Sequence, residues 1–113
     1  MVLKNEKGVN ILEELICADT FAKRFFGWMG KRKPAKKTGL LLEPCKSIHS
    51  FWMRFSLDVI FLDENNSVVE IISPLKPWKI SPIVKDARKV IEAPQGTLIG
   101  QLTVGQRVQM LEK

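Results

Sequence analysis

Cysteine, histidine and tyrosine are scarce in this chain of 113 residues, which has two cysteines, one histidine and no tyrosine. Two cysteines without a C-x-x-C spacing, together with a single histidine, supply too few ligands for a structural zinc site. So few cysteines also fit a reducing compartment, in which Cys17 and Cys45 stay free thiols. The sequence therefore predicts no metal, no cofactor and no disulfide framework.

Long apolar runs are also absent. None approaches the ~20 residues that a membrane-spanning helix needs, and the first ten residues lack the apolar core of a signal peptide. The length fits one domain over residues 1–113, and the apolar content of 45% is ordinary for a globular protein. We expect a cytoplasmic protein with no membrane partner.

Acidic residues are missing from one short segment, "KRKPAKK", residues 31–37, which we call the basic loop. The net charge is +6, and this loop supplies most of it through Lys31, Arg32, Lys33, Lys36 and Lys37. Clustered lysine and arginine side chains bind phosphates by releasing counterions, and Trp28 just before the loop could offer a stacking face. The simpler interpretation is a solvated loop that complements the carbonyl end of a preceding helix. Nucleic-acid binding by the basic loop is the alternative function.

One segment has the apolar spacing of a helix. Asp19 or Thr20 is a suitable N-cap, and Gly30 suits the left-handed residue that follows a helix end. Between them, apolar residues recur at i, i+4 and i+7, which produces a wide stripe: Phe21, Phe25 and Trp28, then Ala22, Phe26 and Met29. The pattern predicts an α-helix over residues 19–30.

The other segments are short runs typical of β-strands. "NILEELICAD" precedes the predicted helix; "TGLLLEP", "SIHSFWM", "LDVIFLDE", "SVVEIISPL", "ARKVIEAP" and "QRVQMLE" follow it. Asn65 and Asn66 suit a tight hairpin turn. Three prolines exclude "SPLKPWKISP" from a central strand. The sequence predicts a mainly β fold of six to eight strands, a compact antiparallel sandwich or barrel with one early α-helix.

The order of several motifs is familiar. "R-x-x-G-x-M" from Arg24, "G-L-L" from Gly39, "H-S-F-W-M" from His49 and "L-D-V-I-F-L-D" from Leu57 are followed by "V-I-E" and "V-G-Q-R-V". The chain from about residue 17 to residue 110 resembles the bacterial and archaeal family called domain of unknown function 192. The resemblance implies a compact, mainly β fold similar to a jelly roll, and it implies no activity.

Asp58 is unusual because it lies within the apolar run "LDVIF". Alternation places it on one strand face with Ile60 and Leu62, so burial is expected. A buried carboxylate needs a cation or several amide donors, and Arg24, Arg54 and His49 are the partners available in the motifs. Asp58 is then either a structural tie between a loop and the sheet or the polar floor of a ligand pocket.

No catalytic constellation is recognisable. A hydrolase would need Ser50 or Cys45 as the nucleophile, His49 as the base and Asp58 as the group that orients it, yet no G-x-S-x-G motif is present. His49 and Ser50, adjacent on a predicted strand, would also point to opposite faces. Whether the chain is an enzyme stays open.

The aromatic run beside His49 indicates a cleft. Alternation sends Phe51 and Met53 one way and Trp52 the other, while Trp28 and Trp78 are candidates for its rim. We predict that an unidentified small molecule or peptide binds near His49, Trp52 and Asp58. The candidate ligand-binding residues are His49, Phe51, Trp52, Met53, Arg54, Asp58, Arg24 and Glu92.

Overall fold

The structure, a computed structural model, describes residues 1–18, 20 and 28–112. These residues form eight strands in two sheets. The strands are β1 (Val2–Lys4), β2 (Asn10–Leu12), β3 (Glu14–Ala18), β4 (Thr38–Leu42), β5 (Leu57–Leu62), β6 (Val68–Leu75), β7 (Lys89–Pro94) and β8 (Gln109–Leu111). The prediction of a mainly β fold is confirmed.

The two sheets differ in size and in strand direction. The smaller sheet has the order β2-β1-β8 and the larger one the order β3-β4-β7-β5-β6. All pairs are antiparallel except β3 with β4, which run parallel from Glu14 beside Thr38 to Ala18 beside Leu42. A parallel pair needs a crossover connection of a dozen or more residues. The residues between Ala18 and Thr38, which include the basic loop, provide that crossover.

The predicted fold class needs two corrections. The larger sheet is mixed rather than antiparallel, because β3 pairs with β4 across the crossover. No helix is present among the described residues; of the helix predicted over residues 19–30, residues 19 and 21–27 lie outside them. At its predicted end, Gly30 donates its amide hydrogen to the carbonyl of Trp52 at 2.8 Å. Gly30 has a left-handed φ of 71°, and residues 28–30 form a turn.

Apolar side chains pack on both faces of the larger sheet. The first core lies between the two sheets and contains Ile60 and Leu62. The second core lies on the opposite face and contains Leu57, Val59 and Phe61. Strand β5 is buried along its whole length, since a central strand covered on both sides has no solvent-facing position. The predicted alternation of this strand is confirmed.

The segment that closes the second core was predicted incorrectly. Residues 47–53, "SIHSFWM", were expected to be a strand, but the only strand-like contact there among the described residues is a bridge between His49 and Ile80. Ile48 and Met53 insert into the second core, so this segment covers the sheet as a loop.

The predicted hairpin between β5 and β6 is confirmed, with Asn66 at a φ of 63°.

Both cysteines are free thiols, as predicted. Cys17 is exposed. It lies on β3, an edge strand of the larger sheet.

Within the described part of the chain, no helix is long and apolar enough to cross a membrane.

Candidate functional site

Four ring-bearing side chains gather where two surface loops meet. We call His49, Phe51, Trp52 and Trp78 the aromatic platform. Phe51 lies at the centre, stacked on His49 at 5.2 Å between ring centroids and 6.2 Å from each of the two tryptophans. Trp52 and Trp78 touch each other at 5.0 Å. They nevertheless remain 55% and 57% exposed, so a large area of indole surface faces solvent.

Buried Ser50 fixes the two loops to each other. Its hydroxyl oxygen accepts the amide hydrogen of Lys79 at 2.9 Å and lies within hydrogen-bonding distance of the Lys76 carbonyl. Its carbonyl accepts the amide hydrogens of Met53 and Trp78 at 3.1 and 2.9 Å. The loop that carries Trp52 is thereby tied to the loop that carries Trp78. The platform is therefore held by the backbone as well as by ring contacts.

The two exposed tryptophans both have left-handed backbone conformations. Trp52 has a φ of 60° and Trp78 a φ of 67°. For a bulky residue this region is a genuine outlier, and such strain persists only where the surroundings enforce it, most often at binding and catalytic sites. Glycine would suit both positions better, yet the chain places its largest side chain at each.

The parts of the two loops that carry the platform lack acidic residues. Residues 44–56 and 76–85 contain none of the twelve acidic residues of the chain, and Glu43 and Asp86 lie just beyond them. Arg54, Lys76 and Lys79 are exposed within two positions of Trp52 or Trp78. The local charge is therefore positive, which repels cationic ligands and attracts anionic ones.

The structure separates the predicted site residues into groups. His49, Phe51 and Trp52 meet in the platform, and Arg54 is exposed beside it. Met53 is buried in the second core, so it supports the platform from beneath. Arg24 lies outside the described residues.

Asp58 is fully buried, but on the opposite face of the sheet from the platform. It alternates with Leu57 and Val59 of the second core, and so faces the first core. Its Oδ2 accepts the amide hydrogens of Gly96, Leu98 and Ile99 at 2.9–3.0 Å.

The other carboxylate oxygen, Oδ1, accepts the hydroxyl hydrogen of Ser73 at 2.6 Å. These four donors satisfy the buried charge, as a desolvated carboxylate requires. Asp58 therefore ties the loop after β7 to the sheet, and the cleft predicted to join it with His49 and Trp52 is not formed.

Glu92 is a buried acid at the centre of the larger sheet. It lies on β7 between Leu40 and Val59, only 5% exposed. Burial raises its pKa from 4.5 to about 8, because removal from water disfavours the charged form. At neutral pH its carboxyl group is thus mainly protonated, and β7 carries a neutral acid next to the second core.

All five basic residues of the basic loop are exposed. The loop begins next to the platform, where the amide of Gly30 donates to the carbonyl of Trp52. Farther along, Lys33, Lys36 and Lys37 line one side of a cavity of about 330 Å³, and residues 94–97 with Gln101 line the other. Trp28 does not provide the predicted stacking face, because it is 7% exposed and packs against Phe55.

Sequence reasoning missed Ser50 as the residue that organises the site. It was considered only as a nucleophile, since nothing in "IHSFW" shows that its side chain would bind carbonyls of a second loop.

In the described ranges there is no group of three or more histidine, cysteine, aspartate or glutamate residues able to hold a metal.

A known protein family matches nearly the whole chain. The sequence model of domain of unknown function 192, described as "Uncharacterized ACR", matches residues 2–110. The chain belongs to this family. A UPF0127 protein from Pyrococcus horikoshii is 38% identical over 99 residues, which cover 85% of each chain. The family match begins at residue 2, whereas the resemblance seen in the sequence motifs begins at about residue 17.

Two solved structures share the fold. A protein of unknown function from Novosphingobium aromaticivorans has a TM-score of 0.80 at 18% identity and covers 96% of this chain and 82% of its own. A protein from Sinorhizobium meliloti 1021, described as a candidate transcription regulator, has the same TM-score at 19% identity, with 96% and 89% covered. At these identities the similarity establishes only the fold of this chain.

Proposed function

We propose that this small β protein binds a ligand that carries both a flat ring and a negative charge, and that the ring stacks on Trp52 and Trp78. The observation that carries the proposal is the pair of touching, half-exposed indoles, each on a left-handed backbone. Exposed aromatic surface and backbone strain both oppose stability. A stacking role for the two side chains accounts for both.

The charge of the ligand follows from the surroundings of the platform. Arg54, Lys76 and Lys79 are exposed within two positions of Trp52 or Trp78, and residues 44–56 and 76–85 contain no acidic residue. A planar anion gains stacking energy from the indoles and Coulomb attraction from the rim. A neutral ring gains only the first, and an inorganic anion only the second.

Adenosine monophosphate is a suitable probe, with ribose 5-phosphate and adenosine as its two halves. The chain has three tryptophans, so three indole N–H signals can be followed by NMR. The proposal expects those of Trp52 and Trp78 to shift with adenosine monophosphate. The signal of buried Trp28 serves as the internal reference.

The controls separate stacking from charge. Trp52→Ala and Trp78→Ala should each weaken binding of the nucleotide, whereas Val104→Ala, which alters an exposed side chain elsewhere, should not. Adenosine and ribose 5-phosphate should bind more weakly than the nucleotide. Equal shifts with ribose 5-phosphate, or no shift at either exposed tryptophan, would refute the proposal. If an aromatic peptide shifted these signals and the nucleotide did not, the ligand would be a peptide rather than a nucleotide.

A further inference from the structure

We infer that the ligand of this surface is single-stranded nucleic acid, with bases stacked on the aromatic platform and phosphates bound along the basic loop. The inference rests on the proposed function of the platform and extends it from one ring-bearing anion to a polymer of them. Proteins that bind single strands combine stacking side chains with a positively charged path for the backbone. Both parts are present here, and they adjoin.

The platform and the basic loop form one continuous structure. The Gly30 amide donates to the Trp52 carbonyl at 2.8 Å, and Lys31 donates to the carbonyl of Trp28 at 3.0 Å. The first basic residue therefore lies one position beyond a direct hydrogen bond to the platform. At the other end, the Lys37 carbonyl accepts the amide hydrogens of Glu13 and Glu14. Both ends of the basic loop are thus anchored to the folded sheet.

The charge along this path is mainly positive. The basic loop supplies five lysine and arginine residues, and Arg54, Lys76 and Lys79 near the two tryptophans supply three more. A strand that passes from the rings along the loop meets an excess of cations, and the acidic Glu13 and Glu14 lie at the far end, beside Lys37. Counterion release favours this arrangement for a polyanion more than for one phosphate.

The cavity beside the basic loop suits a backbone phosphate. Three of its lining residues are Lys33, Lys36 and Lys37, and none is acidic. On its other side, the amide of Gly96 already donates to Asp58, so that donor is occupied. A phosphate is therefore met mainly by lysine ammonium groups, which bind it as point charges without reading base sequence.

The observations favour a single strand over a duplex. The rings protrude from the surface, and a base reaches them face-on only when it is unstacked from its neighbours. Binding is therefore expected to be strong for unpaired oligonucleotides and to show little dependence on their sequence.

The experiment measures fluorescence anisotropy of labelled oligothymidylate and oligouridylate of about twelve nucleotides, together with a duplex of the same length. The single strands should bind more tightly than the duplex, and the RNA and DNA arms show which sugar is preferred. Trp52→Ala and Trp78→Ala should each weaken single-strand binding about tenfold. Inorganic polyphosphate, which has no bases, should compete poorly.

Two triple variants of equal net charge test the basic loop. Lys33, Lys36 and Lys37 become serine in one, and the exposed Lys7, Arg88 and Arg107 become serine in the other. The loop variant should lower the slope of log affinity against log salt by about 2, since each lost contact with single-strand phosphate contributes roughly 0.7. The matched control should retain most of the slope.

The outcomes separate the inference from the proposed function. If adenosine monophosphate shifts Trp52 and Trp78 but both triple variants weaken oligonucleotide binding equally, the platform hypothesis holds and the nucleic-acid inference is overturned. Duplex binding as tight as single-strand binding also overturns the inference. If adenosine monophosphate causes no shift either, both proposals fail together.

Discussion

The amide nitrogen of Leu98 lies 2.9 Å from the Asp58 carboxylate, although the two residues are 40 positions apart in the chain. Gly96 and Ile99 donate to the same oxygen. One carboxylate therefore accepts backbone hydrogen bonds from the loop after β7, as a neighbouring strand would do in a sheet. The burial predicted for Asp58 from "LDVIF" is confirmed, and of the two kinds of partner expected, a cation or amide donors, amide donors are present.

Replacement of Asp58 by asparagine should lower the free energy of unfolding by about 1–3 kcal/mol, because the amide oxygen keeps the geometry but loses the charge. Asp58→Ala should cost more, since three amide hydrogens, of which that of Leu98 is buried, would lose their acceptor. Ser73→Ala, which removes one bond, and His49→Ala on the half-buried platform should each cost less than Asp58→Asn. Urea denaturation measures the series. A neutral Asp58→Asn would contradict the structural role.

Stability should fall as pH rises from about 5 to 8, because of Glu92. Its pKa is 4.5 when exposed and about 8 in the fold, so between these values the folded state holds a proton that the unfolded state releases. The resulting stabilisation is complete below pH 4.5 and is lost as pH rises through 8, at up to about 1.4 kcal/mol per pH unit.

Glu92→Gln, which is uncharged at every pH, should abolish most of this dependence and be more stable than the parent chain above pH 8. The exposed Glu64 provides the control, since Glu64→Gln should leave the dependence unchanged. Urea denaturation at pH 5.5 and 8 decides the matter. A stability that increases over this range in the parent but not in Glu92→Gln would show that the sign is wrong.

The side chains of the basic loop should contribute little to folding. All five basic residues are exposed, so their joint replacement by serine should move the melting temperature by no more than about 2 °C. Lys89→Ser should lower it further, because Lys89 Nζ donates to Asn66 Oδ1 at 2.6 Å from a half-buried position. A fall of many degrees in the loop variant would place these side chains in the fold.

The left-handed backbone at Trp78 should be visible in stability. At a φ of 67°, Trp78→Gly should be more stable than Trp78→Ala by roughly 0.5–1 kcal/mol, since only glycine adopts this region without steric cost. At Ile83, exposed but not in that region, alanine should be the more stable of the two. Thermal or urea unfolding of the four variants provides the comparison. The same order at both positions would exclude backbone strain at Trp78.

Sequence pattern predicted those elements whose burial is periodic. The alternation of Leu57, Val59 and Phe61 fixes β5, and the paired asparagines mark its hairpin to β6. The parallel pairing of β3 with β4 was not predicted, because strand direction depends on the path of the residues between them. Local periodicity contains no information about that path.

The candidate site was predicted only in part, for a different reason. His49, Phe51 and Trp52 were identified from their composition, and Trp78 was a candidate for the rim. Their arrangement depends on Ser50 binding backbone groups of residues 76–79, which are remote in the sequence. Asp58 was assigned to the same cleft because it is close in sequence, whereas the sheet places it on the opposite face.

The pairing of β1 with β8 sets Val2 beside Leu111, so the first and last strands are neighbours in space. A circular permutant with these ends joined by a short linker, and new ends opened at Lys33 and Pro34 in the basic loop, should therefore retain the fold. In that permutant the pairing of β1 with β8 becomes a hairpin between consecutive strands, whereas β3 and β4 move to opposite ends of the chain. The β3–β4 pairing spans five residues and the β1–β8 pairing three. Since distant pairings slow folding, we expect the permutant to fold more slowly than the parent.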